Sequence, residues 1–296
     1  MRDTAQNASK GIALMIAAMG AFAIADTLIK IASSALSPAH TTLLLISGSA
    51  VVFVTLALVQ GQQLIDRAAL STVLLIRYTV EIIGTFSMVV ALSQVPLSTV
   101  GAILQASPLV ATVGAVWLLG EKVSWRRFSA IVLGFIGVLL IVQPGSEGFD
   151  SGVLWVILSM LSLSARDLTT RATPPAMATS SLSAYTMLAA LPFALLWVLI
   201  TQSSVLPHQA DWWLVLSMVG FGTLGYLMIT ASIRVAPVSI VSPFRYTRLL
   251  FLLVLGVVIF NERPNALMLL GSVLVIGSGL YTMWRERQLT QISSKS

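Results

Sequence analysis

The feature that most constrains the fold is a series of ten apolar runs, separated by short polar or Pro/Gly-containing breaks. A helix needs roughly 20 apolar residues to cross the hydrocarbon core of a bilayer. The 296-residue chain has 9% charged residues, whereas an ordinary soluble domain has about 25%. The runs therefore predict an all-α integral membrane protein with ten transmembrane helices and exclude a water-soluble protein. The predicted spans are 11–32, 39–60, 68–93, 96–119, 125–142, 152–171, 178–201, 212–233, 237–260 and 265–284.

The basic residues predict the orientation of these spans. Most of the 17 Lys and Arg residues fall in breaks on the face shared by both termini, and only Lys30 and Arg263 lie on the opposite face. The positive-inside rule then places both termini in the cytoplasm of a multi-pass protein, which we expect in a bacterial inner (plasma) membrane. The first run is long and belongs to the repeat described next, so we expect a mature helix rather than a cleaved signal peptide. The net charge of +6 reflects this topology, and no basic module indicates nucleic-acid binding.

The sequence also contains an internal repeat. Aligning Gly11 with Gly152, an offset of 141 residues, needs no gap through five spans and pairs Asp26 with Asp167, Gly84 with Gly225, Pro96 with Pro237 and Glu121 with Glu262. Five is an odd number, so the second copy enters the membrane from the opposite side. Such inverted repeats build many secondary transporters, whose substrate site lies between the halves near the bilayer midplane. The predicted organisation is a tail (1–10), a first repeat (11–143), a second repeat (152–284) and a tail (285–296), with both tails cytoplasmic.

The stretch from the fourth to the fifth span resembles the EamA-type domain of the drug/metabolite transporter superfamily. It has Pro96 at the start of a helix, Pro108 inside it, Gly120–Glu121 at its end and Gly134 with Gly137 in the next helix. The second repeat has Pro237, Pro243, Asn261–Glu262 and Gly271 with Gly277, so Asn261 replaces the glycine and Pro243 does not align with Pro108. More loosely, the chain resembles YddG-type exporters of aromatic and other amino acids. The resemblance implies ten helices in two inverted repeats around a central cavity, and export of small metabolites.

Charged residues inside spans are the first candidates for a functional role, because each costs about 2.5–3.5 kcal/mol at the bilayer centre on insertion scales. Arg245 suits a substrate carboxylate, since guanidinium and carboxylate groups pair bidentately; the alternative is a structural ion pair with Glu81. Arg248 is expected to be structural. Arg77 and Glu81 are four residues apart on one helix, which predicts an intrahelical ion pair, with Glu81 still lining the cavity. Proton coupling through Glu81 has no midspan histidine as a relay partner.

Two further charge pairs are repeat mates, Asp26–Lys30 and Asp167–Arg171. They are interpreted either as symmetric gate latches or, preferably, as helix-end pairs of the scaffold, because exposed ion pairs are weak. Glu121 and Glu262 are likewise assigned to the scaffold.

Specificity is expected where the two repeats differ. The predicted substrate-binding residues combine polar and aromatic side chains, and the aromatic ones either form a wall suited to a ring or apolar side chain or only pack the core. Pro108 and Pro243 each remove an amide donor, and broken helices at midplane present backbone groups to ligands. The predicted site residues are Tyr78, Glu81, Phe86, Gln105, Tyr226, Thr230, Arg245 and Tyr246, with Pro108 and Pro243 as helix kinks.

The predicted function is a secondary transporter that exports small metabolites, most plausibly apolar or aromatic amino acids, by alternating access. The alternatives are a carrier of other metabolites or drugs, a channel, and a membrane-embedded enzyme acting on a lipid precursor. The sequence has no HExxH or GxSxG motif and no paired acids at metal-ligand spacing, which argues against an enzyme and against a metal site. No cofactor is expected. The expected partners are the small-molecule substrate and the lipid bilayer, and the oligomeric state is left open.

Overall fold

The structure is a computed structural model that describes residues 2–62, 70–119, 125–144, 150–171, 178–201, 211–236 and 238–293. All regular structure in these residues is helical. The helices are α1 (Arg2–Ala32), α2 (Pro38–Val59), α3 (Thr72–Gln94), α4 (Leu97–Leu104), α5 (Ser107–Leu119), α6 (Trp125–Val142), α7 (Val153–Arg171), α8 (Thr179–Thr201), α9 (Trp212–Val235), α10 (Val238–Val241), a 3-10 helix (Ser242–Tyr246), α11 (Thr247–Phe260) and α12 (Ala266–Ser293).

These helices make ten spans, because two spans are each built from more than one helix. Span 4 consists of α4 and α5, and span 9 consists of α10, the 3-10 helix and α11. Among the described residues, seven helical segments are long and apolar enough to cross a membrane, and α6 and α12 contain shorter apolar segments. The remaining span is α7, which carries Arg166 and Asp167. The predicted fold class of ten transmembrane helices in two inverted repeats is confirmed.

The helices at the chain ends extend beyond the predicted spans. α1 begins at Arg2 and α12 continues to Ser293, whereas the predicted spans begin at residue 11 and end at residue 284. Arg, Glu, Gln and Leu in these flanking segments favour helix, so the helix continues after the apolar run has ended.

The repeat is visible in matching contacts between helices. A Cβ built on Gly84 of α3 would lie 3.2 Å from Leu163 of α7, and one built on Gly225 of α9 would lie 3.0 Å from the Phe22 ring of α1. In the 141-residue register Gly84 is the mate of Gly225, and Leu163 is the mate of Phe22. The pairs α3–α7 and α9–α1 therefore approach each other through corresponding glycines.

The described helices group into two compact units, and each unit draws helices from both repeats. We call Met1–Ala23, Val95–Val153 and Gly225–Ser296 the α4–α6 unit, and Ile24–Gln94 with Leu154–Leu224 the α2–α3 unit. The α4–α6 unit therefore holds both broken spans.

Each unit has its own apolar core. In the α4–α6 unit, α1 packs on the end of α9 and on span 9 through Met15, Met19, Ala236 and Val241. In the same unit α6 crosses α12 closely, since a Cβ on Gly137 would lie 2.7 Å from the Gly271 carbonyl oxygen. In the α2–α3 unit, α2 packs on α8 through small and branched side chains, namely Ala39, Leu43, Ile46, Ala190, Ala194 and Val198.

Candidate functional site

Span 4 is interrupted two residues before its proline, Pro108. α4 ends at Leu104 and α5 begins at Ser107, so Gln105 and Ala106 form the break. Pro108 has no amide proton to donate to the Leu104 carbonyl. The adjacent amides make shorter-range bonds instead: the Ala106 N–H donates to the Ile103 oxygen at 3.0 Å and the Leu109 N–H donates to the Ala106 oxygen at 2.9 Å. Pro108, the predicted helix kink, lies in the first turn of α5, directly after this break.

Span 9 is interrupted over a longer stretch. Only Val238–Val241 is α-helical before the 3-10 helix Ser242–Tyr246, which contains Pro243 near its start. Arg245 and Tyr246 are the last two residues of this 3-10 segment, and α11 begins at Thr247. Such 3-10 segments inside a longer helix often mark a functional or strained position. Both broken spans lie in the α4–α6 unit.

The acid that follows α11 fixes the start of span 4. The Glu262 carboxylate accepts hydrogen bonds from the backbone N–H of Leu97 and from the N–H and hydroxyl of Ser98, the latter two at 2.9 and 2.6 Å. Because the first amides of a helix have no partner within it, this carboxylate caps α4. A Cβ on Gly256 would overlap the Glu262 carboxylate, so glycine leaves room for the cap.

Asn261 allows the chain to turn directly after α11 although the second repeat has no glycine at this position. Asn261 is the residue after α11 and has a φ of 53°. Among non-glycine residues, asparagine is one of the few that adopts this left-handed conformation readily. The scaffold role predicted for Glu262 agrees with its contacts, whereas Glu121 and Pro237 lie outside the described residues.

Tyr246 and the two arginines of span 9 have different surroundings. Tyr246 is 6% exposed, and within the described residues its hydroxyl has no hydrogen-bond partner. It lies against Gly279 of α12, where a Cβ would overlap the hydroxyl. The Arg248 guanidinium lies 5.3 Å from the centroid of the Phe22 ring, a cation–π contact that agrees with its predicted structural role. Arg245 is half-buried.

Three other predicted residues also belong to the α4–α6 unit. Gln105 is buried in the break of span 4, and Tyr226 is half-buried on α9. Thr230, one turn further along α9, donates its hydroxyl proton to the Tyr226 carbonyl oxygen at 2.9 Å. The Thr230 hydroxyl therefore offers a ligand its acceptor capacity rather than its proton.

The α2–α3 unit contains a cluster of four charged side chains, Arg77 and Glu81 on α3 with Arg166 and Asp167 on α7. Arg77 Nη2 lies 3.2 Å from Glu81 Oε2, which confirms the ion pair predicted from their spacing. Arg77 also donates to the Thr186 hydroxyl on α8 at 2.8 Å. The cluster is thus assembled from three helices.

Arg166 completes this cluster, and sequence reasoning did not select it. Its Nη1 lies 3.4 Å from Glu81 Oε1, and its Nη2 lies 2.8 Å from Asp167 Oδ1. A comparison of the two repeats at the 141-residue offset could have identified Arg166, because its mate in the first repeat is Ala25. The second repeat thus has a guanidinium inside a span where the first repeat has a methyl group. The ion pairs described for Glu81 are therefore with Arg77 and Arg166.

Tyr78 and Phe86, the predicted aromatic residues on α3, have separate neighbours. Tyr78 packs with Leu74 and Leu182, and its buried hydroxyl has no hydrogen-bond partner among the described residues. Phe86 stacks on Trp197 of α8 with ring centroids 5.2 Å apart. The sequence analysis did not select Trp197, because its own span gives no indication that it packs against Phe86.

The predicted gate pairs make different described contacts. Asp26 is 5% exposed, and the Lys30 ammonium donates to the Leu92 carbonyl oxygen of α3 at 3.3 Å. Asp167 accepts from Arg166, its neighbour in sequence, while the Arg171 side chain lies outside the described part of the structure. No group of three His, Cys, Asp or Glu side chains in the described residues is arranged to hold a metal ion.

Comparison with known proteins places this chain among transporters. An S-adenosylmethionine uptake transporter of Rickettsia prowazekii is 24% identical over 216 residues, which cover 72% of this chain and 71% of that protein. A riboflavin transporter of Vibrio cholerae is 28% identical over 291 residues, which cover 94% and 95%. A solved structure described only as the crystal structure of a protein aligns over 95% of this chain and 99% of its own, with a TM-score of 0.64 at 18% identity. That likeness shows the fold alone.

A family model described as the EamA-like transporter family matches residues 9–143 and 150–284. These two matches cover most of the chain, and the relatives named above are transporters. The chain therefore belongs to the EamA-like transporter family of the drug/metabolite superfamily, and it is a multi-pass membrane transporter of small molecules rather than an enzyme.

Proposed function

We propose that this transporter is a secondary carrier that exports apolar or aromatic amino acids by alternating access between its two inverted repeats. The observation that carries the proposal is the interruption of spans 4 and 9, which are repeat mates, at prolines inside the membrane-spanning part of the chain. Interrupted helices present backbone polar groups and helix ends to a ligand, and carriers built from inverted repeats use them to bind substrate.

Arg245 and Tyr246 indicate the substrate class. Both lie at the break in span 9, where their repeat mates are Leu104 and Gln105. A half-buried guanidinium suits the carboxylate of an amino acid, and an aromatic ring suits an apolar or aromatic side chain. The structural alternative for Tyr246 is packing against Gly279, so Arg245 is the better test of this assignment.

The relatives supply a second candidate substrate class. Two of them are named for S-adenosylmethionine and riboflavin, which both contain an aromatic ring system, and S-adenosylmethionine also has an amino-acid head group. One relative is named for uptake, so import is the alternative to export. Most Lys and Arg residues are predicted to lie on the membrane face that both termini share, and this distribution supports cytoplasmic termini in a bacterial inner membrane.

The experiment is substrate counterflow in proteoliposomes loaded with one unlabelled compound at a time. Phenylalanine, leucine, S-adenosylmethionine and riboflavin make up the panel. We expect saturable exchange of the amino acids, which would also exclude a channel. Exchange of riboflavin but of no compound with an amino-acid head group would contradict the proposed substrate class.

The matched variants are Arg245→Ala and Arg248→Ala, since the two arginines lie three residues apart on the same span. Losing a bidentate carboxylate contact costs about 1.5–3 kcal/mol, so we expect Arg245→Ala to reduce apparent affinity by roughly tenfold or more. Arg248→Ala should lower stability, because its cation–π contact with Phe22 is lost, while affinity stays close to wild type. If Arg245→Ala exchanges amino acids as fast as the wild type, the carboxylate role is wrong.

A further inference from the structure

A groove with an apolar lining runs along α11 and the start of α12 in the α4–α6 unit. It has a volume of about 410 Å³, and the residues that line it are Leu253, Val254, Val257, Val258, Pro264 and Leu269. Most of these side chains are exposed, and Val258 is 71% exposed. The groove is therefore open at the surface of the unit and is not part of its core.

The groove lies at the depth of a single leaflet of the bilayer. Its α11 side belongs to span 9, whose apolar segment runs from Pro243 to Phe260. From Leu253 to Phe260, where α11 ends, the helix rises about 10 Å, because each residue adds about 1.5 Å. The hydrocarbon core is about 30 Å thick, and each leaflet contributes about half of it. The groove therefore faces the lipid chains of one leaflet.

A lipid chain is the occupant that suits such a groove. An empty groove leaves its lining atoms without neighbours, so their dispersion contacts are lost. Water does not replace those contacts, because no lining side chain has a polar atom to bond it. Lipid tails are as apolar as these side chains, so a tail gains packing in the groove but no hydrophobic transfer energy. Any preference for one kind of lipid must therefore come from the polar end of the groove.

The end of the groove at the membrane surface is positively charged. Pro264 lines the groove, and its neighbour Arg263 is exposed. The other charged residue of the segment 261–265 is Glu262, whose carboxylate is bound to the start of α4. Just beyond Arg263, α12 begins at Ala266, and the N-terminus of a helix carries partial positive charge. A guanidinium beside a helix N-terminus suits a phosphate group.

The first repeat does not have the side chains that open this groove. At the 141-residue offset the mate of Val258 is Trp117 and the mate of Leu269 is Phe128, so the first repeat has rings where the second has smaller side chains. The mate of Arg263 is Lys122. The basic residue is thus common to the two repeats, whereas the small lining residues belong to the second repeat. The shared scaffold therefore does not require the groove.

We propose that this groove binds an anionic phospholipid, with one acyl chain along α11 and the headgroup phosphate at Arg263. An anionic headgroup brings no second cation next to Arg263, unlike the amine of a zwitterionic lipid. The positive-inside rule predicts that Arg263 lies on the outer face, where a basic residue is unusual, and phosphate binding gives a reason for its presence. Lipid binding at this site does not depend on which compound is transported.

Native mass spectrometry of the full chain in detergent tests the headgroup contact. The probes are phosphatidylglycerol and phosphatidylcholine with the same acyl chains. We expect the wild type to retain one phosphatidylglycerol in preference to phosphatidylcholine. Arg263→Gln should bind phosphatidylglycerol about fivefold more weakly, the contribution of one basic residue near an anionic membrane surface.

Lys122→Gln is the matched charge control, because it removes the same charge at the mate of Arg263. It should keep the wild-type preference for phosphatidylglycerol. Equal retention of the two lipids by the wild type, or wild-type affinity in Arg263→Gln, would overturn the proposal. Neither measurement uses a transported substrate, so the result is separate from the test of the carrier function.

A second variant tests the chain-binding part of the groove. Val258→Trp with Leu269→Phe installs the side chains of the first repeat, and we expect loss of both retained lipids. Phosphatidylglycerol should raise the unfolding temperature of the wild type and not that of this variant, because a ligand stabilises only the fold that binds it. Wild-type retention in the folded double variant would contradict the proposal. So would a wild-type dimer that the double variant dissociates, since a second copy would then cover the groove. If the double variant does not fold, the comparison of Arg263→Gln with Lys122→Gln still decides.

Discussion

Spans 4 and 9 occupy equivalent positions in the two repeats, and both are interrupted near a proline, but the interruptions are built differently. Span 4 is broken over two residues, Gln105 and Ala106, between two α-helices. Span 9 is broken over a five-residue 3-10 segment that ends with Arg245 and Tyr246. Each span has a proline near its break, so both helices are interrupted, whereas the side chains at the two breaks differ. The backbone scaffold is therefore common to the two repeats, and the candidate binding groups are found where the repeats differ.

The packing beside each break has diverged as well. The 3-10 segment of span 9 packs on α12 and α4 of span 4 packs on α6, so each break lies beside the last helix of a repeat. Tyr246 is matched by Gly279, whose mate in the first repeat is Val138, and Gln105 is the mate of Tyr246. The second repeat therefore has a tyrosine and a glycine where the first repeat has a glutamine and a valine. The small residue at position 279 leaves room for the aromatic ring at the second break.

The largest expected effect is on the scaffold that both breaks share. Glu262→Ala removes the carboxylate that caps α4 and leaves the Leu97 and Ser98 amides without that acceptor. Because hydrogen bonds to charged groups contribute about 1.5–3 kcal/mol each, we expect the free energy of unfolding to fall by roughly 3 kcal/mol, measured by denaturation in detergent. Glu262→Gln retains one acceptor oxygen and should lose about half as much. A wild-type stability for Glu262→Ala would mean that α4 needs no cap.

Much of the fold follows from the sequence because its determinants are local or periodic. The length of each apolar run sets a span, and the register of Gly11 on Gly152 sets the inverted repeat. Pro108 and Pro243 mark the interruptions because a missing amide proton has the same consequence in any helix. The extent of the 3-10 segment does not follow from the position of Pro243, and neither does the contact of Tyr246 with Gly279 of α12, which joins distant parts of the chain.

The site is less predictable because its contacts join distant parts of the chain. The Arg77–Glu81 ion pair follows from a spacing of four residues on one helix. Arg166 reaches the same carboxylate from α7, 85 residues along the chain, so only the packing of α7 on α3 brings it there. The stacking of Phe86 on Trp197 has the same origin. Comparing repeat mates would have drawn attention to Arg166, since Ala25 stands in its place.

The next prediction tests whether the Tyr246 ring requires a glycine at residue 279 of α12. Gly279→Ala places a methyl group where the Tyr246 hydroxyl lies, and overpacking of a core costs about 1–3 kcal/mol. Gly277→Ala is the matched control on the same helix, because in the described part of the chain no atom outside that stretch of α12 lies within 4 Å of a Cβ there. The control should be neutral or more stable by up to about 1 kcal/mol, the difference in helix propensity between alanine and glycine.

A second substitution converts this test into a comparison of the two breaks. Tyr246→Gln installs the side chain that the first repeat has at Gln105, and it removes the ring that meets residue 279. In the Gly279→Ala background it should restore most of the lost stability, measured as an interaction energy in a double-mutant cycle. If the two substitutions are additive, the volumes at the second break are not coupled and the difference from the first break has another cause.

The smallest expected effect concerns Asn261, where the second repeat has replaced the glycine of the first. The backbone at residue 261 has a φ of 53°, so the residue must tolerate a left-handed conformation. Asn261→Gly should change the free energy of unfolding by only a few tenths of a kcal/mol, because glycine adopts this conformation readily. Asn261→Ala should lower it by about 1–2 kcal/mol, the cost of a left-handed conformation for an ordinary residue. If both variants are equally stable, the Asn261 side chain, and not the conformation of its backbone, keeps Glu262 at the start of α4. The asparagine at residue 261, where the first repeat has glycine, would then be a further functional difference between the repeats.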